Sequence, residues 1–363
     1  MMKKLILCLS ALSLSVSAMA GDELKMVAGT YTDTGSAGIY SFNFNQNTGE
    51  FQLLDSLAMV NPSYITFGRG GRLLYAVNET PDKRATLSAI TFDAAAGKMK
   101  FLNKHYTGGA DPCFVEANDT IAVTANYSGG SMSVFPILKD GSLGPCSFIY
   151  QGNVTKGGKA PQNVAHIHTA RFMPDGHILA TDFSADQILL YKRDGGKVIP
   201  QGVTGKLLAG SAPRHITHSA DWRYVYVMSE LGGTVTVFSN NAGRLTRIQT
   251  IASDSVGGRG GADIHMSPDG RYLYASNRLK ADGISIFKVN PQSGKLRKVG
   301  YQLTGIHPRN FAITPNGRFL LCACRDSNAI QIYERNQDTG KLTLQETAIK
   351  IKKPVCIKLL EAE

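Results

Sequence analysis

A short phrase, in most copies led by proline, recurs along this 363-residue chain, and its spacing is the strongest constraint on the fold. The seven copies begin at Pro62, Pro112, Ala165, Pro213, Ala262, Pro308 and Pro354. Successive copies are separated by 50, 53, 48, 49, 46 and 46 residues. A repeat of about 50 residues is typical of a solenoid or a propeller, so the content of each unit decides between them.

Each unit contains patterns of short strands. A turn signal such as Pro268-Asp269-Gly270 follows most copies, and a strand such as Tyr224-Val225-Tyr226-Val227 comes next. A second, alternating strand such as Thr234-Val235-Thr236-Val237-Phe238 follows it, and no stretch keeps a helical period. Four short strands per unit, repeated radially, predict an all-β protein built as a β-propeller.

The two ends of the chain complement each other. The seventh copy supplies one strand before the chain ends, whereas residues 24–31 and 38–44 match the second and third strands of the other units. We therefore predict a seven-bladed β-propeller with four-stranded blades, whose ring is closed by a blade shared between the N- and C-termini. Residues 21–363 would form this single domain.

Residues 1–20 have the pattern of a secretory signal peptide. Lys3 and Lys4 precede an apolar run, and Ala18-Met19-Ala20 is a small-residue cleavage site. Cleavage after Ala20 would give a periplasmic or secreted protein without a membrane anchor. It would also lower the net charge from +11 to +9 by removing the two lysines.

The charge and the cysteines restrict the function. Basic residues are spread along the chain without a Lys/Arg run, so we expect no nucleic-acid partner, whereas attraction of small carboxylates or phosphates is compatible with the charge. Five cysteines remain after cleavage, without metal-binding C-x-x-C spacing. We expect most of them to be buried strand residues, and a disulfide stays open. The oligomeric state is not determined by the sequence.

Blade geometry predicts where the chemistry lies. The start of the first strand and the end of the second meet on one face, beside the central channel, and loops on a rigid scaffold commonly carry function. The candidate side chains at these two positions are His166, His168, Arg214, His215, Arg309, Asn126, Asp182, Glu230 and Arg278. We expect His168, Arg214, Glu230 and Arg278 to surround one pocket at the channel mouth.

The chemistry of these residue types allows two interpretations of each. The His166/His168 pair is either a general acid or base, or a structural hydrogen-bonded pair. Arg214 beside His215 either clamps a carboxylate or phosphate, or forms an ion pair between blades. Glu230 either orients one of these two residues or acts as an acid.

Other motifs give weaker signals. The glycine-rich segments Lys156-Gly157-Gly158-Lys159 and Gly257-Gly258-Arg259-Gly260-Gly261 border the same face, either as mobile flaps or as ordinary loops. Neither a G-x-S-x-G nucleophile motif nor an H-E-x-x-H metal motif occurs, so we assign no metal and no cofactor. The alternative is a cation site formed by Glu79, Asp182, Glu230 and Asn277.

Several phrases resemble the seven-bladed lactonase family that contains bacterial 6-phosphogluconolactonase and fungal carboxy-cis,cis-muconate cyclase. The matching phrases are Gly29-Thr30-Tyr31-Thr32, Asn61-Pro62-Ser63-Tyr64, His166-Ile167-His168, Ala212-Pro213-Arg214-His215, Ser229-Glu230-Leu231, Ser276-Asn277-Arg278 and His307-Pro308-Arg309. The resemblance covers roughly residues 24–360. It departs from the family pattern at Ala165, Asp263 and Cys324-Arg325, where Pro, Glu and Asn are usual.

The resemblance implies a lactone hydrolase with a His, Arg, Glu, Arg site, which falls on His168 (or His166), Arg214, Glu230 and Arg278. We expect a small anionic lactone or sugar acid as the ligand. The alternatives are a lactone-forming cyclase and a non-catalytic periplasmic propeller that binds a sugar acid or a protein. A histidine base predicts a rate that rises with pH through a pKa of about 6 to 7.

Overall fold

Short runs of β-branched and aromatic residues form the strands of the protein, and glycine-rich turns separate them. The structure, a computed structural model, describes residues 21–154, 158–194 and 197–361. The predicted signal peptide and Lys156-Gly157 lie outside these residues. Within the described residues the helical element is a 3-10 turn at Arg325–Ser327, and no helix has the length and apolar character of a transmembrane span.

The strands form seven antiparallel sheets of four strands each. In chain order they are β1 (Glu23–Thr30), β2 (Gly38–Asn45), β3 (Phe51–Ala58), β4 (Ile65–Gly68), β5 (Leu73–Asn78), β6 (Thr86–Asp93), β7 (Lys98–Tyr106), β8 (Pro112–Ala117), β9 (Ile121–Asn126), β10 (Ser131–Pro136), β11 (Phe148–Gln151), β12 (Ile167–Phe172), β13 (Ile178–Asp182), β14 (Gln187–Asp194), β15 (Lys197–Lys206), β16 (Pro213–His218), β17 (Tyr224–Ser229), β18 (Thr234–Asn241), β19 (Arg244–Ala252), β20 (Gly261–Met266), β21 (Tyr272–Asn277), β22 (Gly283–Val289), β23 (Leu296–Leu303), β24 (Pro308–Ile313), β25 (Phe319–Cys324), β26 (Ala329–Arg335), β27 (Leu342–Lys350) and β28 (Pro354–Glu361).

The sheets are the blades of a closed ring. Blades 1 to 6 take consecutive sets of four strands from β4 to β27, and blade 7 has the order β28-β1-β2-β3. The innermost strands β4, β8, β12, β16, β20, β24 and β28 contact one another in sequence, and β28 contacts β4. The prediction of a seven-bladed all-β propeller closed by both termini is therefore confirmed.

Buried tyrosines connect neighbouring blades. The hydroxyl of Tyr75 on β5 donates to the carbonyl of Gly141 at 2.9 Å, and Tyr226 on β17 makes the same contact with Gly294 at 3.0 Å. Both glycines have positive φ, 89° and 66°, so they tolerate this turn without strain. The tyrosine that recurs in the second strand thus fills the space between blades and satisfies its own hydroxyl.

The first strand of most blades begins with a distorted backbone. A residue with left-handed φ directly precedes the strand in four blades, as at Ala212 (55°) and His307 (62°). A β-bulge follows in which the second strand residue has no partner, as at Arg214 in the pairing of β16 with β17. Because a bulge reorients side chains locally, it directs Cys113, His168, Arg214 and Arg309 toward the channel mouth.

The structure corrects the repeat register in two blades. The backbone N–H of the residue after the second strand donates to the carbonyl oxygen of the residue before the first strand. Glu230 donates in this way to Ala212, and Phe183 donates to His166. The repeat in blade 3 therefore begins at Ile167 rather than at Ala165, and in blade 5 at Gly261 rather than Ala262. His168 consequently occupies the position of Arg214, and His166 lies before the strand.

The ring closure generates a stability prediction. A Cβ added to Gly29 on β1 would lie only 2.1 Å from the Pro62 carbonyl oxygen of blade 1. We expect Gly29→Ala to lower the free energy of unfolding by about 2–3 kcal/mol, because the backbones must separate. The control is Gly300→Ala, where the nearest atom would be 3.4 Å away. Equal denaturation midpoints for the two variants would contradict the prediction.

Candidate active site

Two positions of the repeat supply most of the side chains at one channel mouth. The first is the bulge position of the inner strand, and the second is the residue that directly follows the second strand. Together with two rim residues they line a cavity of about 300 Å³, here called the mouth cavity. Its lining residues are Cys113, His168, Arg214 and Arg309 from bulges, Glu79, Tyr127, Glu230 and Arg278 from second-strand ends, and Asp111 and Ser128.

Larger cavities lie farther from the channel. One of about 690 Å³ is lined by the loops around Asp82 and Tyr106, and one of about 640 Å³ lies between blades 7 and 1. The mouth cavity is the better candidate because ionisable groups with shifted pKa values converge on it.

Glu230 holds two arginines at the centre of the mouth cavity. Its Oε2 accepts a hydrogen bond from Arg214 Nε at 2.9 Å and lies 3.0 Å from Arg278 Nη2. Both arginine side chains are almost completely buried, whereas Glu230 is 21% exposed. Burial alone would raise the pKa of Glu230, but Arg278 and Arg214 lower it below its usual value. Glu230 is therefore ionised at neutral pH.

A histidine caps each arginine on the side away from Glu230. Arg214 Nη1 lies 3.3 Å from His215 Nε2, and Arg278 Nη1 lies 3.3 Å from His307 Nε2. Behind them, His215 Nδ1 bonds Asp263 Oδ1 at 2.6 Å, and His307 Nδ1 lies 3.6 Å from Asp326 Oδ2. We call the series Asp263, His215, Arg214, Glu230, Arg278, His307 and Asp326 the arginine–glutamate chain.

Both capping histidines are neutral. Burial and the adjacent Arg214 lower the pKa of His215 to about 3, and burial with Arg278 lowers the pKa of His307 to about 2. A neutral imidazole can accept a hydrogen bond at one nitrogen while donating from the other. Each histidine therefore accepts from its arginine and donates toward its aspartate, which fixes the guanidinium in place.

Arg309 belongs to a second cluster across the cavity. Its Nη2 lies 3.7 Å from Glu79 Oε2, and its guanidinium lies over the Tyr31 ring at 5.4 Å. Glu79 also accepts hydrogen bonds from the hydroxyls of Tyr31, at 2.8 Å, and Ser63. The cluster holds Arg309 by fewer hydrogen bonds than Arg214 or Arg278.

His168 faces this arginine-rich cavity. Cys113 Sγ lies 3.6 Å from its Nδ1, and its ring centroid is 5.1 Å from that of His215. Burial and the charge of Arg214 hold the pKa of His168 well below its usual value, so the imidazole is neutral. Burial also raises the pKa of the Cys113 thiol, which therefore is not a thiolate at neutral pH.

Four of the sequence-predicted ligand residues lie outside the cavity lining. His166 stacks on Tyr127 with ring centroids 4.0 Å apart, and His215 lies behind Arg214. Asn126 donates to Ser131 and Ser133 within its own blade, at 3.0 and 2.8 Å. Asp182 accepts from Asn153 and Gln187 and anchors a loop. Arg309 does line the cavity.

Four lining residues, Asp111, Cys113, Tyr127 and Ser128, were not among the predicted ligand residues, and Glu79 was named only for the alternative cation site. A positional signal finds three of these five residues: Glu79 and Tyr127 directly follow a second strand, as Glu230 does, and Cys113 is at the bulge position, as Arg214 is. The cation-site alternative is not supported by placement, because neither Asn277 nor Asp182 lines the mouth cavity. Asn277 Oδ1 accepts from Ser253 Oγ at 3.1 Å, and Asp182 accepts from Gln187 at 3.0 Å. The described residues contain no His/Cys/Asp/Glu cluster arranged to hold a metal.

The second glycine-rich segment, which the structure describes in full, is held by hydrogen bonds. Asp254 accepts hydrogen bonds from the backbone N–H groups of Val256 and Gly258. The five cysteines from Cys113 to Cys356 are free thiols, and four of them are buried.

Comparisons with known proteins agree with this fold. The family model described as "Lactonase, 7-bladed beta-propeller" matches residues 25–359. The 6-phosphogluconolactonase of Bacillus subtilis is 34% identical over 345 residues, covering 92% of this chain and 97% of that protein. A candidate 6-phosphogluconolactonase from Bacteroides fragilis superposes with a TM-score of 0.91 at 47% identity, covering 94% and 99% of the two chains. The periplasmic gluconolactonase of Pseudomonas aeruginosa superposes with a TM-score of 0.87 at 28% sequence identity, covering 94% of this chain and 100% of that chain.

Fold and cavity together define a closed propeller with one arginine-rich site at a channel mouth. The chain belongs to the seven-bladed β-propeller lactonase family, as its sequence resemblance indicated. The expectation of a lactonase-type enzyme is confirmed by these relatives.

The arginine–glutamate chain generates a second stability prediction. Asp263 is buried and also accepts from His265 Nε2 at 2.9 Å and from the backbone N–H of Phe311 at 3.2 Å. We expect Asp263→Ala to cost about 3–5 kcal/mol of unfolding free energy, because it leaves several buried donors unpaired. Asp221→Ala, which removes an exposed partner of Arg223, is the control. A small, equal loss in both variants during chemical denaturation would refute the prediction.

Proposed function

We propose that this protein hydrolyses a sugar-derived lactone at the mouth cavity. The observation that carries the proposal is the placement of two rigid, buried arginines beside a neutral histidine in one cavity. Ester hydrolysis needs a base for water and a positive environment for the oxyanion, and these side chains provide both.

In this mechanism His168 acts as the general base. Cys113 occupies the Nδ1 side of the ring, which leaves Nε2 to take a proton from water. The water oxygen bonds to the lactone carbonyl carbon, and the carbonyl electron pair moves onto oxygen. When the intermediate collapses, the ring C–O bond breaks, and the proton held by His168 passes to the departing ring oxygen.

The arginines would stabilise the oxyanion. Arg214 donates from Nε to Glu230 and from Nη1 to the Ala262 carbonyl at 2.8 Å, which leaves its Nη2 group without a partner among the described residues. A fixed donor of this kind needs no reorganisation when charge develops. A carboxylate with a lowered pKa is a poor proton donor at neutral pH. We therefore assign Glu230 the role of orienting Arg214 and Arg278 rather than that of an acid.

The names of the relatives support a sugar lactone as the substrate class. Curated relatives are 6-phosphogluconolactonases, and a structural neighbour is a gluconolactonase. Lactone formation from an unsaturated acid would instead add a carboxylate oxygen and a proton across a C=C bond, and a binding-only protein would retain ligand affinity without turnover. Measured hydrolysis of a sugar lactone distinguishes the proposed function from both alternatives.

We also propose that the protein is exported to the periplasm after cleavage behind Ala20. The order of lysines, apolar run and Ala-Met-Ala supports export, and one structural neighbour is periplasmic. Intact-mass analysis of protein from the native host is expected to find Gly21 at the N-terminus. An N-terminus at Met1 or Met2 would disprove export by this signal.

Substitution of the proposed catalytic groups tests the mechanism. We expect Arg214→Ala to lower kcat for lactone hydrolysis about 100-fold or more, as loss of an oxyanion donor does. His168→Ala is expected to lower it by about 100-fold or more, as loss of a general base does. Initial rates on a panel of sugar lactones, corrected for spontaneous hydrolysis, measure both effects, and we expect a chelator to leave them unchanged.

Two residues away from the cavity, Arg335, which is buried, and His218, which is partly buried, serve as controls. Arg335 binds Asp269 at 2.7 Å near the opposite face, and His218 stacks on Trp222 with ring centroids 3.6 Å apart. Arg335→Ala and His218→Ala should retain kcat per folded molecule. Wild-type activity in His168→Ala would eliminate the general-base role.

The pH profile gives an independent test. The lowered pKa of His168 keeps its basic form populated below the usual imidazole range, so the expectation of a rise through pH 6 to 7 is revised. We expect kcat/KM to stay flat between about pH 5.5 and 7.5, because His168 stays unprotonated, and thus active as a base, until the pH falls to its lowered pKa. A fall centred near pH 6.5 would show an ordinary histidine and contradict the structure.

A further inference from the structure

The charged side chains that line the mouth cavity cancel one another. Three arginines and three carboxylates line it: Arg214, Arg278, Arg309, Glu79, Glu230 and Asp111. His168 adds no charge, because burial and Arg214 hold its pKa well below the usual value. The cavity is therefore formally neutral, although the chain carries a net charge of +11.

The carboxylates are distributed unevenly. Arg214 and Arg278 share Glu230, so one positive charge remains on that side, while Arg309 is matched by Glu79. The carboxylate that balances the remaining charge is Asp111, whose Oδ2 accepts from Ser128 Oγ at 2.5 Å. Among the described residues Asp111 has no ion-pair partner. Free acceptor oxygens and fixed donors therefore line the same small cavity.

We propose that the substrate is an uncharged, polyhydroxylated lactone, and that Glu79 and Asp111 exclude lactones that carry a phosphate or carboxylate. The inference rests on the proposed lactonase function. Carboxylate oxygens accept hydrogen bonds from sugar hydroxyls, whereas they repel a phosphate group that carries about −1.5 to −2 charge at pH 7. The substrate class differs from the anionic lactone expected from the sequence.

The charge balance also suits the product. Hydrolysis converts an uncharged lactone and water into a hydroxy carboxylate and a proton. The one excess charge near Arg214 and Arg278 can stabilise the oxyanion, while Asp111 and Glu79 oppose retention of the product anion. A cavity with three unmatched arginines would instead bind the product tightly and slow its release.

Paired substrates test the proposal with the purified protein. We expect kcat/KM for glucono-1,5-lactone to exceed that for 6-phosphoglucono-1,5-lactone by about tenfold or more. Glu79→Gln and Asp111→Asn each remove one negative charge with little change in size. Each is expected to raise the relative kcat/KM for the phosphorylated lactone by about tenfold. Asp111 has a φ of 50°, which asparagine tolerates well, so the second variant keeps the backbone.

Asp82→Asn is the matched control. Asp82 lies on the loop after β5, binds Arg84 at 2.7 Å and is outside the mouth cavity, so its loss should leave the substrate ratio unchanged. A wild-type preference for the phosphorylated lactone, or an equal response to Asp82→Asn, would overturn the proposal. If neither lactone is hydrolysed, the proposed function fails, and calorimetry with gluconate and 6-phosphogluconate tests the charge alone. Tighter binding of 6-phosphogluconate would then overturn the inference.

Discussion

The pairing of β28 with β1 joins the two ends of the chain, and the geometry of the whole ring depends on it. Gly29 pairs with Cys356 in this ladder, and the inner strand of blade 7 contacts both blade 6 and blade 1. The entropic cost of bringing distant segments together grows only logarithmically with their separation, so a long connection is tolerable once the interface is well packed. Closure removes the exposed sheet edges that an open array of blades would leave.

Closure also holds the site together, because its parts come from different blades. The arginine–glutamate chain passes through blades 4, 5 and 6, and the Arg309 cluster adds blades 1 and 7. The bulges at the start of the inner strands of blades 2, 3, 4 and 6 each direct one side chain at the mouth, and in blades 2, 4 and 6 a left-handed residue precedes the bulge. Backbone strain at Ala212 and His307 is maintained by the surrounding hydrogen bonds, as is common at functional sites.

The repeat predicted the architecture because strand period, turn signals and terminal complementarity all depend on local sequence. It also placed His168, Arg214, Glu230 and Arg278 on one face, and the structure puts all four in one cavity. It could not separate neighbouring positions, since a bulge breaks the two-residue alternation on which strand parity depends. His215 was therefore assigned to the ligand although it supports Arg214. Asn126 was selected in place of Tyr127 because the sequence does not mark the residue at which β9 ends. The sequence also did not reveal the charge balance of the mouth cavity, because that balance depends on which carboxylates face the cavity.

The bulge position has one more consequence, for redesign of this scaffold. The same backbone position carries Cys113, His168, Arg214 and Arg309 in four blades, so its geometry does not require a particular side chain. The hydrogen bonds that define it place Ser63, Ala262 and Val355 at the equivalent positions of blades 1, 5 and 7. These three small or aliphatic residues are buried, and they mark the blades whose bulge side chains do not line the mouth cavity. Chemistry on this ring can therefore be varied one blade at a time.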